Sequence, residues 1–116
     1  MATFWAMLAG EPEIGTTLHR IVDAGIDTGP VIEINCRETR PKSSYLANVI
    51  GLYADGCDAI FRAIRTFSTI GTLTGDPQIQ VGQYFGAPDS AAITRYESNG
   101  LALFDGREDL EFSSQN

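Results

Sequence analysis

The chain has 116 residues and a mass of 12.6 kDa, enough for one small domain or for half of a larger one. Its composition of 43% apolar, 20% charged and 9% aromatic residues is globular, which excludes wholesale disorder, collagen-like repeats and a membrane-spanning protein. A net charge of −7, with Lys and Arg scattered singly, excludes nucleic acid or an anionic membrane as the main partner, because both select clustered cations. The first element expected is a short helix over residues 3–9, ended by Gly10 and kept from continuing by Pro12. No basic residue precedes this apolar start, so a secretion signal is not expected of it. An aromatic beginning is unusual for a domain and raises the expectation of further chain upstream.

Residues 15–22 form the first expected strand, with β-branched Thr16, Thr17, Ile21 and Val22 around Leu18, His19 and Arg20. Asp23-Ala24-Gly25-Ile26-Asp27-Thr28-Gly29-Pro30 breaks it with two glycines and a proline. A second strand follows over 31–37. There Ile32, Ile34 and Cys36 alternate with Glu33, Asn35 and Arg37, which predicts a buried face on the first set and a wet face on the second. The connection is far longer than the two residues of a tight hairpin, and long loops in compact domains are where function concentrates.

Next comes a long helix from about Ser44 to Thr66, started by Pro41 and Ser43 or Ser44. Leu46, Ile50, Tyr53, Cys57, Ile60 and Ile64 recur at helical spacing, and Val49, Leu52 and Phe61 widen the stripe. Such a helix must cover a sheet or another helix. Beyond Phe67, short β-like stretches at 72–74 and 78–81 lead to a loop over 82–88 and a short helix capped by Asp89 or Ser90. That helix runs through Tyr96 with Gly100 just past its end, residues 101–104 form a last strand or a packed tail, and 105–116 form a polar, solvated end. The expected division is a domain-like part over 1–70 and an irregular extension over 71–116.

The chemistry is expected in the loop 23–30. Its glycines let backbone groups approach a ligand, and Asp27 presents a carboxylate able to orient an imidazole, stabilise its cation or relay a proton. The competing reading is that Asp23 and Asp27 make only local turn hydrogen bonds. His19 is the single histidine and reads as a structural residue in mid-strand. Cys36 and Cys57 lack CxxC spacing and read as buried or half-buried thiols in a reducing, cytoplasmic setting; no residues stand at metal-ligand spacing. P-loop, GxGxxG, GxSxG and HExxH motifs do not occur.

Taken together, Trp5-Ala6, Gly10-Glu11, Gly15-Thr16-Thr17-Leu18-His19 and the run Asp23-Ala24-Gly25-Ile26-Asp27-Thr28-Gly29-Pro30-Val31-Ile32 resemble the second half of the formyltransferase family. That family includes glycinamide ribonucleotide, methionyl-tRNA and sugar N-formyltransferases and formyltetrahydrofolate deformylase. The resemblance covers about residues 4–67. It implies an α/β fold, the C-terminal half of a formyltransferase-like Rossmann-type domain, with a small mixed sheet packed by one long helix. It also implies transfer of a formyl group from 10-formyltetrahydrofolate to a small amine-bearing substrate, with folate as partner, no membrane and no nucleic acid. Asp27 matches the family's catalytic Asp, and Val22, Asp23, Ala24, Gly25 and Ile26 match the backbone that borders the folate heterocycle. The family's Asn-x-His-Pro-Ser motif occurs nowhere in these 116 residues, and His19, followed by Arg20, does not match its His. The site is therefore expected to be completed by a missing N-terminal lobe or by another polypeptide. The alternatives are a self-associating binding module, a homo-oligomer without turnover, and a deformylase in which water replaces the amine.

Overall fold

The computed structural model describes residues 1–79 and 82–108; part of the β-like stretch expected at 78–81 and the acidic end from 109 lie outside them. Helix α1 spans Ala2–Ala9 and is ended by Gly10 in the left-handed conformation, φ 75°. The N–H of Gly10 donates to Met7 O and that of Glu11 to Ala6 O, the paired bonds that close a helix when a glycine follows it. Strand β1, Glu13–His19, pairs with strand β2, Val31–Glu38. Arg20 N–H donates to Pro30 O at one end and Thr39 N–H to Pro12 O at the other, so the strands run in opposite directions. Helix α2 is Tyr45–Ile70 and helix α3 is Ser90–Ser98. The fold is thus mixed α/β, with a two-stranded antiparallel sheet and one long helix. Residues 101–104 are not a strand: they are a packed tail, and near 72–81 the described pairing is a single bridge between Val31 and Asp76.

Two compact units divide the chain. The first comprises Met1–Ile14, Arg37–Gly51 and the segment from Tyr84 onward. Its core is aromatic: Phe4 and Tyr96, both fully buried, stack at 4.5 Å and 17°, while Trp5 and Tyr45 meet Phe4 edge-on. The Tyr96 hydroxyl donates to the sulfur of Met7, and burial pushes its pKa up to about 12. Trp5 donates its indole N–H to Gly86 O, which ties α1 to the loop before α3. Asp89 caps α3 by accepting from Ala92 N–H.

The start of α2 is finished in the same unit. Ser44 Oγ accepts from Ala47 N–H, and the free N–H groups of Tyr45 and Leu46 donate to the carbonyls of Ala102 and Leu103. Asn48, almost wholly buried, accepts from Arg40 N–H and returns its amide to the carbonyls of Arg40 and Ser44. A buried amide satisfied in this way fixes the 39–44 connection.

The second unit comprises Gly15–Cys36 and Leu52–Gln83. Here two sequence-based expectations are corrected. Of the stripe expected on α2, Tyr53, Cys57, Ile60 and Ile64 are exposed, whereas Leu52 and Ala59 are buried and Gly56 lies against Thr16 of β1. Large residues lie at both levels of exposure: Leu52 is buried, while Ile60, Ile64 and Phe67, each about half exposed, line an apolar hollow with Leu18 of β1 and Ile32 of β2. On β2 the expected alternation holds only at Ile32, which is half-buried; Ile34 is 61% exposed and Cys36 exposed, while Glu33 and Asn35 are half-buried. At the surface Arg62 of α2 reaches Glu33 of β2 through two hydrogen bonds. Those bonds, with a contribution from Asn35, hold the Glu33 carboxyl below its ordinary value. Neither cysteine is the buried thiol that the sequence suggested. No helix among the described residues is long and apolar enough to cross a membrane.

Candidate functional site

The loop between β1 and β2, residues 20–30, begins and ends at the Arg20–Pro30 hydrogen bond. Gly29 sits buried against that junction, where a Cβ would collide with Arg20 O. Inside the loop Asp23 does what a turn aspartate does: its Oδ1 accepts from Gly25 N–H at 2.8 Å. Asp27 does something else. It is the one described non-glycine residue with positive φ, 56°, a conformation tolerated by Asp better than by most side chains. Its carboxylate is 81% exposed and lies 3.5 Å from Nε2 of His19, which is 23% exposed at the end of β1.

Sequence reasoning left two readings for Asp27, and the geometry separates it from Asp23. One aspartate closes the turn and the other is presented to solvent beside an imidazole. His19, read from sequence as a structural residue, is 23% exposed and stands beside Asp27. Reaching that pairing needs the hairpin closed, because eight positions separate the two residues and the intervening path is irregular.

A cavity of about 220 Å³ is lined by residues 19–23 and 25–29. Val22, Asp23, Gly25 and Ile26 line it together with Asp27, and Ala24 does not. Its volume is below the roughly 300 Å³ at which ligand pockets start, so it suits the ring end of a ligand rather than a whole one. Two further hollows lie along α2 in the same unit. The one of about 430 Å³ includes Thr66, Thr72 and Thr74, but its charges, Arg62 and Glu33, are spent on each other. The other, about 270 Å³, is wholly apolar, lined by Leu18, Ile32, Ile60, Ile64, Phe67 and others. Among the described residues no group of His, Cys, Asp and Glu is placed to hold a metal ion.

One contributor carried no sequence signal. Gln78, 51 residues from Asp27, donates its side-chain amide to the carbonyls of both Asp27 and Gly29, at 2.8 and 2.7 Å. Arg20 donates to Leu73 O from the other side of the loop.

No family model matches the chain. A methionyl-tRNA formyltransferase of Deinococcus radiodurans is 36% identical over 74 residues, which is 64% of this chain and 22% of that protein. In fold, the chain is similar to WlaRD, a sugar 3N-formyl transferase whose crystal structure was obtained with dTDP and 5-N-formyl-THF. The TM-score is 0.55 with 26% identity, covering 67% of this chain and 28% of that one. The chain thus spans about a quarter of the length of the relatives it matches. Sequence and backbone, compared independently, both relate it to formyltransferases.

Proposed function

We propose that this relative of the formyltransferases contributes the Asp27 loop to a site that transfers a formyl group from 10-formyltetrahydrofolate to an amine. The amine of a small molecule, with an amino-sugar nucleotide as the first candidate, attacks the formyl carbon. The new N–C bond forms as the bond to the folate nitrogen breaks, and the proton given up by the attacking nitrogen is balanced by one taken up by the departing folate nitrogen. The observation that carries this reading is the exposed Asp27 carboxylate, set beside His19 on a cavity bordered by Val22, Asp23, Gly25 and Ile26. A bendable backbone accommodates a flat heterocycle, and one carboxylate faces the reacting centre. There it stabilises positive charge on a neighbouring imidazole or on the attacking amine as the proton leaves.

The oxyanion donor is not among the groups this loop offers. In the family resembled, an Asn and a His do that work from the Asn-x-His-Pro-Ser motif, and we assign those roles to residues outside these 116. The match takes in only 22% and 28% of the two relatives, which supports that division. So does the exposed apolar face of α2, with Phe61, Ile64, Phe67 and Ile70, which such a segment would cover.

The test has two arms. The chain alone, titrated with 5-formyltetrahydrofolate and followed by amide NMR shifts, is expected to respond at residues 22–26; unmoved shifts there defeat the reading. Mixed with a polypeptide bearing the missing motif, it is expected to support formyl transfer that falls about 10²-fold or more in Asp27→Asn, the scale of a lost acid–base group. Turnover by the 116 residues alone would defeat the division of the site. The exposed face of α2 favours one other reading, a module that pairs with a second copy of itself. That reading predicts a dimer on sizing chromatography, and a monomer at high concentration removes it. Formate released without an amine would instead mark a deformylase.

A further inference from the structure

Left-handed backbone at a residue with a Cβ has to be held from outside, because the local energy disfavours it. At Asp27 the hold is identifiable. The Asp27 carbonyl belongs to the peptide plane next after its own φ and ψ, and the Gly29 carbonyl lies two planes on; both point at one amide group, that of Gln78. Carbonyls only accept, so the group between them must be the amide nitrogen, which supplies one proton to each. Gln78 is in turn anchored two residues earlier, where Asp76 and Val31 exchange both backbone hydrogen bonds at 2.7 and 2.8 Å. The segment 73–78 therefore runs along the loop like a strap, held by Arg20 at one end and reaching Asp27 at the other.

We infer that Gln78 is a positioning residue for Asp27: its amide fixes the peptide planes around Thr28, holds the left-handed turn, and so aims the Asp27 carboxylate at His19 and the cavity. As a positioning role it rests on the functional reading of Asp27; as a conformational clamp it does not. The side chain is exposed and no core packing depends on it, so it can be exchanged without unfolding the chain.

The experiment uses the labelled chain with Gln78→Met, which keeps length and loses both donors, and Gln78→Glu, which replaces donors by a charge facing two carbonyls. The Cα and Cβ chemical shifts of Asp27 report its left-handed backbone, and the ring-proton shifts of His19 report what stands beside it. Both sets are expected to move in Gln78→Met. In Gln78→Glu their differences from the unsubstituted chain at the same pH are expected to be large at neutral pH and to shrink below about pH 4, where the introduced carboxyl regains one donor proton. A substitution acting only through general destabilisation would worsen in acid instead. Titrated with 5-formyltetrahydrofolate, each variant is expected to bind about five- to tenfold more weakly at neutral pH, the effect of losing one or two exposed hydrogen bonds. Wild-type Asp27 and His19 shifts in Gln78→Met would overturn the inference. If those shifts move while the unsubstituted chain ignores the folate, the clamp stands and the functional reading of the loop falls.

Discussion

Around Phe4, order comes from side chains: rings stack on rings, a hydroxyl meets a thioether, and two helices end in glycine turns that satisfy their last carbonyls. Around Asp27 the side chains from residue 20 to 28 are exposed, and order comes from a handful of hydrogen bonds to backbone carbonyls. The first arrangement resists change because its parts are desolvated together. The second leaves a carboxylate and an imidazole accessible, and its conformation can adjust around a ligand at little energetic penalty.

The contrast makes graded predictions. Phe4→Ala should be the most damaging single change, removing a fully buried ring for about 3–5 kcal/mol and a large fall in Tm by circular dichroism. A loss under about 1 kcal/mol would break the distinction between the two regions. Asn48→Ala should lose about 1–2 kcal/mol, because Arg40 N–H loses its acceptor and the buried amide's bonds to the carbonyls of Arg40 and Ser44 disappear, measured by urea unfolding. Gly29→Ala should lose about 1–3 kcal/mol by forcing a Cβ onto Arg20 O, with faster amide exchange at Arg20 as its local signature.

Acid should act more gently, and on the first region. Hydrogen bonds from Ser44, the hydroxyl first and then the backbone N–H, hold the Glu108 carboxyl below the ordinary carboxylate value. Its contribution is therefore complete above that ordinary value and disappears as pH falls through the lowered one. Acid titration should release the 102–108 tail from the start of α2 before the aromatic core opens, and Glu108→Gln should lose that step in NMR. Alkali works in the opposite sense at Tyr96: its raised pKa means stability complete below pH 10 and lost on the approach to about 12. Smallest of all, Asp27→Asn should leave global stability within about 0.5 kcal/mol, since Asn tolerates the same backbone and the side chain is exposed. A larger fall would show that the carboxylate is part of the scaffold.

Much of the element order was legible. Gly10 and Pro12 end α1, Asp89 opens α3, and the alternation over 31–37 marks β2, each through sterics or capping that act within a few residues. The loop at 23–30 announced itself by glycine, proline and its improbable length for a hairpin. The candidate site was legible only as far as Asp27 and the backbone beside it. The neighbour of His19 is created only by closing the hairpin, and Gln78 was invisible because its partners lie 49 and 51 residues away. The apolar stripe of α2 was read as the buried face because large residues form it. Of that stripe Leu52 is buried, but Tyr53, Cys57, Ile60 and Ile64 stay exposed, while Gly56 lies against Thr16 of β1.

By itself, then, the amino-acid order determined where the helices and strands lie, where the chain turns, and which carboxylate an irregular loop holds out. Those are consequences of torsional preference and periodicity, which are settled among near neighbours. Tertiary structure decided which face of α2 and of β2 is covered, that residues 101–104 cap a helix rather than join a sheet, and that Asp27, His19 and Gln78 meet. Periodicity tells which side chains share a face but is silent on what lies opposite, and contacts between distant segments arise only when the whole chain has closed on them.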